Sequence, residues 1–252
     1  MDLYFKTFGE GKPFIILHGL FGSSDNWQTH AKKLSDYFKV YTVDQRNHGR
    51  SPWSDEFNYA LMADDLHQLV EKEGLEDFIL LGHSMGGKTA MTYTQNHPDL
   101  VEKLIVVDMG IKSYPIHHDK IIAGLKSIDL SKISSRKEAD NQLKNYIDEF
   151  AIRQFLLKNL YRKEKDELSW RINLKVLDEK IEEIVAALPS QEVLVDTLFM
   201  RGGKSNYILE EDYEAIKKVF PISKIHTIAS AGHWIHAEAP EEFIEEVIGF
   251  GL

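Results

Sequence analysis

Through the first 110 residues the chain alternates between short unbroken apolar runs and longer stretches in which apolar positions return every three or four residues. The runs are Phe14-Ile15-Ile16-Leu17, Val40-Tyr41-Thr42-Val43, Phe78-Ile79-Leu80-Leu81 and Leu104-Ile105-Val106-Val107. A run that is apolar at every position, rather than at every second one, has both faces buried, as strands of a parallel sheet do when helices cover each side. The intervening stretches supply such helices. Tyr59 to Gly74 places Leu61, Met62, Leu66, Leu69 and Val70 near one face, and Gly86 to His97 ends against Pro98. This rhythm predicts an α/β fold, a mostly parallel central sheet flanked by helices.

From about Ile111 to Pro189 the pattern changes. Leu143, Tyr146, Ile147 and Phe150, then Phe155, Leu156 and Leu160, recur at helical spacing with charged residues between them, and strand-like runs are missing, so helices alone are expected. Strand runs resume at Thr197-Leu198-Phe199-Met200 and Ile225-His226-Thr227-Ile228, followed by a closing helix from Pro240 to Ile248. Neither flank completes a sheet by itself. The expected organisation is therefore one core built from 1–110 and 190–252, with a helical lid, 111–189, inserted between two of its strands. Neither an internal repeat nor a low-complexity tract interrupts this plan.

A length of 252 residues suits one α/β domain, and 43% hydrophobic with 28% charged residues is ordinary for a chain that folds by itself. With 40 acidic against 30 basic side chains the net charge is −10, which repels phosphate backbones and anionic lipid surfaces, so neither nucleic acid nor a membrane is an expected partner. Cysteine is absent, which excludes disulfides, thiolate metal sites and a cysteine nucleophile. His117-His118 lacks the spacing of a metal-binding pair and no H-E-x-x-H occurs, so no metal is expected. The opening MDLYFKTFGEGKPF has no basic segment leading into an apolar one, and no apolar run approaches the roughly 18 residues of a spanning helix; a cytoplasmic chain is expected.

The chemistry concentrates at Gly82-His83-Ser84-Met85-Gly86. The bare G-x-S-x-G pattern arises by chance in roughly one chain in ten of this length, so its weight comes from context. Here it follows the run Phe78 to Leu81 and opens a helix that carries another glycine, Gly87. Glycines on both flanks let the backbone turn so tightly that Ser84 is held strained with its hydroxyl exposed at the strand end, a nucleophile elbow. The N–H of Met85 then faces any negative charge that develops beside the serine. A second donor for such an oxyanion is expected from the turn His18-Gly19-Leu20-Phe21-Gly22, where Leu20 is the first choice and Phe21 the alternative.

Eleven histidines compete to be the base. His233, in Ala231-Gly232-His233-Trp234, comes straight after the last strand, where a short loop can carry an imidazole over the strand ends towards Ser84. His236 is the rival, although the chain there is already turning into the final helix. His18, His48 and His83 are expected to make local hydrogen bonds. Phe21, Tyr114 and Trp234, with the lid residues Phe150 and Phe155, are candidates to wall an apolar pocket.

Taken in order, HGLFGSSDNW at 18–27, DQRNHGRS at 44–51, GHSMGG at 82–87, VVDMG at 106–110 and GHWIHAEAPEEF at 232–243 resemble the α/β-hydrolase superfamily, and within it the branch of small YbfF-like serine esterases. The resemblance spans nearly the whole chain. It implies a Ser-His-Asp triad, an acyl-enzyme, no cofactor, and a small-molecule ester or thioester as substrate. It also implies that Asp44, Arg46 and His48 belong to a structural loop, and the acidic stretch Glu238 to Glu246 reads most simply as a solvated helix face. The patch Arg162 to Glu167 reads as lid surface. One departure matters: many members carry the acid in a G-x-x-D stretch after the post-lid strand, and here that stretch reads Gly203-Lys204-Ser205-Asn206. Asparagine orients an imidazole but does not stabilise its cation by charge. Asp108, at the end of the strand after the nucleophile's, holds a carboxylate at the correct sheet edge and is the position that the resemblance implies; Asp212 and Glu210 are the alternatives. The expected activity is carboxylic-ester hydrolysis, with acyl-CoA thioester cleavage, a serine-triad lyase or C–C hydrolase, or a ligand receptor on the same fold as rivals.

Overall fold

The computed structural model describes residues 1–116, 118–164 and 167–252. Its strands are β1 (Phe5–Phe8), β2 (Pro13–Leu17), β3 (Lys39–Val43), β4 (Phe78–His83), β5 (Val101–Val107), β6 (Leu160–Glu164), β7 (Glu167–Trp170), β8 (Asp196–Gly202) and β9 (Ser223–Ile228). Seven of them form one sheet in the order β1-β3-β2-β4-β5-β8-β9, parallel throughout except for the antiparallel edge strand β1. The helices are α1 (Gln28–Leu34), α2 (Tyr59–Glu73), α3 (Met85–Asn96), α4 (Asp119–Ser127), α5 (Arg136–Leu143), α6 (Phe150–Leu157), α7 (Leu174–Glu179), α8 (Ile181–Val185), α9 (Tyr213–Val219), α10 (Ile235–Glu238) and α11 (Pro240–Gly251). None of them is long and apolar enough to cross a membrane.

The unbroken apolar runs are strands buried on both faces. Along β2, Ile15 and Leu17 join a core with Leu66 and Val70 of α2 and Ala90 and Met91 of α3. Phe14 and Ile16 join the opposite core with Ala31 and Leu34 of α1 and Phe243 and Val247 of α11. Helix α2 starts where the Asn58 side chain accepts the Leu61 N–H and stops where Gly74 adopts a left-handed conformation, φ 61°. Every parallel strand therefore delivers its C-terminal end to one edge, the edge at which α/β sheets bind ligands.

Residues 111–189 lie between β5 and β8 and hold α4 to α8. They are not helical only: β6 and β7 pair as an antiparallel hairpin. Its anchors Leu160 and Leu168 are buried in the lid's own core, while Arg162, Lys163 and Glu164 are exposed. So short and polar a hairpin leaves no apolar run to read. Lys165 and Asp166 of the expected surface patch, and His117, lie outside the described residues. The lid core also takes in Leu20, Phe21 and Met85, so the lid is packed onto the strand-end loops. Its two roots are tied together by Leu188 N–H to Ile111 O (2.8 Å) and Tyr114 N–H to Val185 O (2.9 Å). The buried Lys88 of α3 donates to the carbonyls of Lys112 and Ala186, one on each root.

Candidate active site

Ser84 sits between β4 and α3 with φ 53° and ψ −120°, a conformation costly for a residue with a Cβ. It is held there by close packing. A Cβ on Gly82 would come within 2.1 Å of the Gly86 carbonyl oxygen, and one on Gly86 within 2.4 Å of the Leu17 carbonyl oxygen. The Ser84 N–H is pinned to Val107 O at 3.0 Å. With the backbone fixed, the side chain has one direction left, over the ends of the strands.

There it meets His233, whose Nε2 lies 3.1 Å from Ser84 Oγ. His233 Nδ1 donates to Asp108 Oδ2 at 2.8 Å, which fixes the tautomer that leaves Nε2 free to accept. Asp108, fully buried, follows β5 with φ 49° and has its N–H bonded to Met200 O at 2.8 Å. Its carboxylate also accepts the Gly202 N–H (3.0 Å) and the Ser205 hydroxyl. The other candidate acids are elsewhere: Asp212 accepts the Leu209 N–H (2.8 Å) and pairs with Lys112 Nζ (2.6 Å), and Glu210 is exposed, as is Asn206 in the stretch after β8. His236 is stacked on Trp27, ring centroids 4.4 Å apart.

The residues expected to supply the oxyanion donors lie at the elbow and in the turn after β2. Met85 is the first residue of α3, where helical geometry leaves the N–H without a partner in its own helix. In the His18–Gly22 turn, Phe21 has φ 60° and its N–H donates to His48 Nε2 at 3.2 Å. That bond occupies the N–H of the alternative donor, Phe21. His48 accepts because its Nδ1–H is given to Arg46 O (2.9 Å). Burial, with His18 adding to it, pushes His48 down to about 3 and keeps it neutral, so it stays an acceptor. His18 is pushed down by burial to about 4 and accepts the Gln45 N–H through Nε2 (3.0 Å). His83, pushed down by burial to about 3, donates from Nε2 to the His233 carbonyl (2.9 Å). All three make local backbone bonds, as expected.

Several positioning groups were not foreseen. Tyr207 stacks on the His233 ring at 3.9 Å and 15°. Glu238 accepts the N–H groups of Gly232 (2.8 Å) and Trp234 (3.2 Å), clamping the loop on both sides of His233, so it is more than part of a solvated helix face. Asn159 of the lid donates to Phe21 O at 2.7 Å. Asp44, Arg46 and His48 are structural: Asp44 accepts the N–H of Ser24 (2.6 Å) and of Arg50 (2.8 Å), and Arg46 pairs with Asp65 (2.6 Å).

Two cavities flank Ser84. The larger, about 270 Å³, is lined by Phe21, Ile121, Ile152, Phe155, His233 and Trp234 among others, and no lysine or arginine lines it among the described residues. The smaller, about 20 Å³, lies towards Met85, Met109, Tyr114, Ile184 and Val185. Of the residues considered for a pocket, Phe21 and Trp234 line the larger cavity, while Tyr114 lines only the smaller, its hydroxyl accepting the Gly110 N–H and donating to Tyr207 O, both at 2.7 Å. Phe150 walls neither, being 63% exposed on the outside of the lid. Among the described residues no cluster of three or more His, Asp or Glu side chains is placed to hold a metal ion.

A parallel sheet with a serine elbow, an inserted lid and a histidine reaching over the strand ends defines a hydrolase, and the chain belongs to the α/β-hydrolase family. Residues 12–122 match the model of the alpha/beta hydrolase fold. The sn-1-specific diacylglycerol lipase ABHD11 of Danio rerio is 38% identical over 252 residues, covering 96% of this chain and 79% of that one. Esterase YbfF of Escherichia coli strain K12 is 34% identical, covering 93% and 91%. Among solved structures, a marine microorganism esterase superposes with a TM-score of 0.97 at 47% identity over 99% of both chains. The chain is accordingly a hydrolase with the esterase/lipase activity of this family.

Proposed function

We propose that the protein is a serine carboxylic-ester hydrolase acting on small to medium acyl esters through Ser84, His233 and Asp108. The observation that carries this reading is the unbroken relay from Ser84 Oγ through His233 (3.1 Å) to Asp108 (2.8 Å). Ser84 Oγ attacks the ester carbonyl as His233 Nε2 takes its proton, and the N–H groups of Leu20 and Met85 face the oxygen that becomes negative. Asp108 stabilises the imidazolium without itself being protonated. The carbon–oxygen bond to the alcohol then breaks, the proton on Nε2 passes to the departing alkoxide, and the acyl group stays on Ser84. Water, deprotonated by the same nitrogen, attacks the acyl-enzyme and releases the carboxylic acid. Every proton is handled by His233, so the reaction needs no cofactor.

The cavity supports a neutral substrate. A lyase or C–C hydrolase acting on an anion wants a fixed cation near the reacting carbon, and neither lysine nor arginine lines the larger cavity among the described residues. A fluorophosphonate probe, followed by peptide mapping, tests the reading. Labelling of Ser84 in the native chain and of nothing in Ser84→Ala, with ester turnover lost in parallel, is expected; turnover that survives Ser84→Ala refutes it.

A further inference from the structure

The two cavities on either side of Ser84 differ more than tenfold in size, about 270 against about 20 Å³, and the proton path decides which part of the ester each one takes. This step rests on the Ser84-His233-Asp108 reading above. The leaving alkoxide must receive its proton from His233 Nε2, so the alcohol has to depart on the side that His233 lines. His233 and Trp234 line the larger cavity and not the smaller. The carbonyl oxygen is directed at the N–H groups of Leu20 and Met85. The third substituent of the carbonyl carbon, the acyl chain, is left with the smaller cavity beside Met85.

We propose that the cavity formed by Met85, Met109, Tyr114, Ile184 and Val185 is the acyl subsite, that it limits the acyl group to about the size of acetyl, and that the substrates are acetyl esters of bulky, apolar alcohols. At about 20 Å³ against about 270 Å³ on the other side, this is by far the tighter of the two spaces beside Ser84 and suits the shortest acyl group. Its walls are braced. The Tyr59 hydroxyl donates to Ile184 O at 2.6 Å, and the Tyr114 hydroxyl spans Gly110 and Tyr207. Tyr59 and Ile184 are both buried, in the core that packs the lid on the elbow, so widening the subsite requires the lid to shift. The larger cavity, floored by Trp27 and walled by Phe155 and Trp234, has the aromatic surface that a bulky alcohol group would cover.

A pair of isomeric esters separates the two assignments in the unmodified protein. 2-Phenylethyl acetate puts the bulk in the alcohol, and methyl 3-phenylpropanoate puts the same atoms in the acyl group. The acetate is expected to have the higher kcat/KM by about tenfold or more, the discrimination that even one ill-fitting methylene produces. In a 1-naphthyl ester series kcat/KM should fall by about tenfold or more from acetate to butyrate. Ile184→Ala, and independently Met109→Ala, should raise the butyrate-to-acetate ratio by about tenfold. A faster methyl 3-phenylpropanoate, or hydrolysis of a long-chain diacylglycerol as fast as of the acetate, overturns the subsite assignment if the phosphonate still labels Ser84. Absence of that label, with neither isomer hydrolysed, overturns the serine mechanism beneath it.

Discussion

Replacing Asp108 by asparagine exchanges one carboxylate oxygen for an NH2 group, and the hydrogen bonds around the carboxylate determine which one. Oδ1 accepts the Gly202 N–H at 3.0 Å, and Oδ2 accepts both the Ser205 hydroxyl and His233 Nδ1–H. An asparagine has one oxygen to divide between these donors. If its NH2 faced Gly202, two N–H groups would meet inside a fully buried site, which costs about 1–3 kcal/mol. The amide oxygen therefore stays on Gly202 and the NH2 takes the Oδ2 position. Ser205 adapts by rotating its hydroxyl to accept. His233 adapts only by moving its proton to Nε2, and then the atom 3.1 Å from Ser84 Oγ no longer accepts a proton. The variant should fold and bind ester but turn over about 10⁴-fold more slowly, about 5.5 kcal/mol of transition-state stabilisation. The check is kcat and KM on one acetyl ester, with circular dichroism to confirm the fold. A kcat above about a tenth of the native value, against the loss expected of a triad acid, refutes the role given to Asp108. Asn206→Asp should not rescue this variant, because Asn206 is exposed while its neighbour Ser205 is the residue that reaches the carboxylate.

Ser84→Ala should abolish turnover with melting temperature unchanged or raised, since the hydroxyl lies at a turn and its removal opens no core cavity; enzyme assay and calorimetry check both halves. Ser205→Ala removes one of the three hydrogen bonds to Asp108 and should lower kcat about tenfold with little change in KM, and Ser205→Thr should restore most of it. Glu238→Ala frees the N–H groups of Gly232 and Trp234 on either side of His233 and should lower kcat by a few fold, on the order of 0.5–1.5 kcal/mol per bond lost, while fluorophosphonate labelling of Ser84 slows in proportion. Stability should weaken in mild acid. Burial holds the folded-state pKa of His18 at about 4, of His48 and His83 at about 3, and of His236 far below its ordinary value, so the unfolded chain binds more protons than the folded one. Their contribution is complete above the ordinary imidazole value of about 6.5 and is lost as the pH falls from there towards 4, by up to about 1.4 kcal/mol per pH unit for each group. Urea melts at pH 7.5, 6.5 and 5.5 test this, and midpoints that do not move would contradict it.

The parts of the fold that were legible are those whose signal is local. An apolar run such as Ile79-Leu80-Leu81 must be buried on both faces, and a glycine pair around Ser84 permits only a sharp turn, so strand, elbow and helix follow from their own residues. Edge strand β1 was not legible, because its pattern is half-buried at three positions and exposed at one. The β6–β7 hairpin was hidden for the same reason. Site residues divided along a similar line. Ser84 and His233 are announced by flanking glycines and by chain order, whereas Ser205, Tyr207 and Glu238 act through contacts with residues 97, 26 and 6 positions away or fewer, and carry no motif. The bond that engages the Phe21 N–H runs to the His48 imidazole, 27 positions away, and no local signal announces it.

Sheet order explains how the proposed acid can sit after β5 in this chain when many members of the superfamily carry it after the strand that follows the lid. β5 and β8 are adjacent and parallel, with Val107 opposite Met200, so Asp108 and the Gly202–Ser205 turn leave the sheet side by side. β9 lies beyond β8 and sends His233 back over both ends. An imidazole in that place has two neighbouring strand ends from which a carboxylate can approach Nδ1, and a serine on the unused one still reaches the same point: the Ser205 hydroxyl bonds the very oxygen that accepts His233 Nδ1–H. The stretch after β8 has thus kept a part in holding the proposed acid although its own residue at the expected position is an asparagine. Geometry at the sheet edge, rather than the motif that occupies one strand end, is what the His233 ring requires. That is why an asparagine at position 206 leaves the relay intact while the loss of Asp108 should break it.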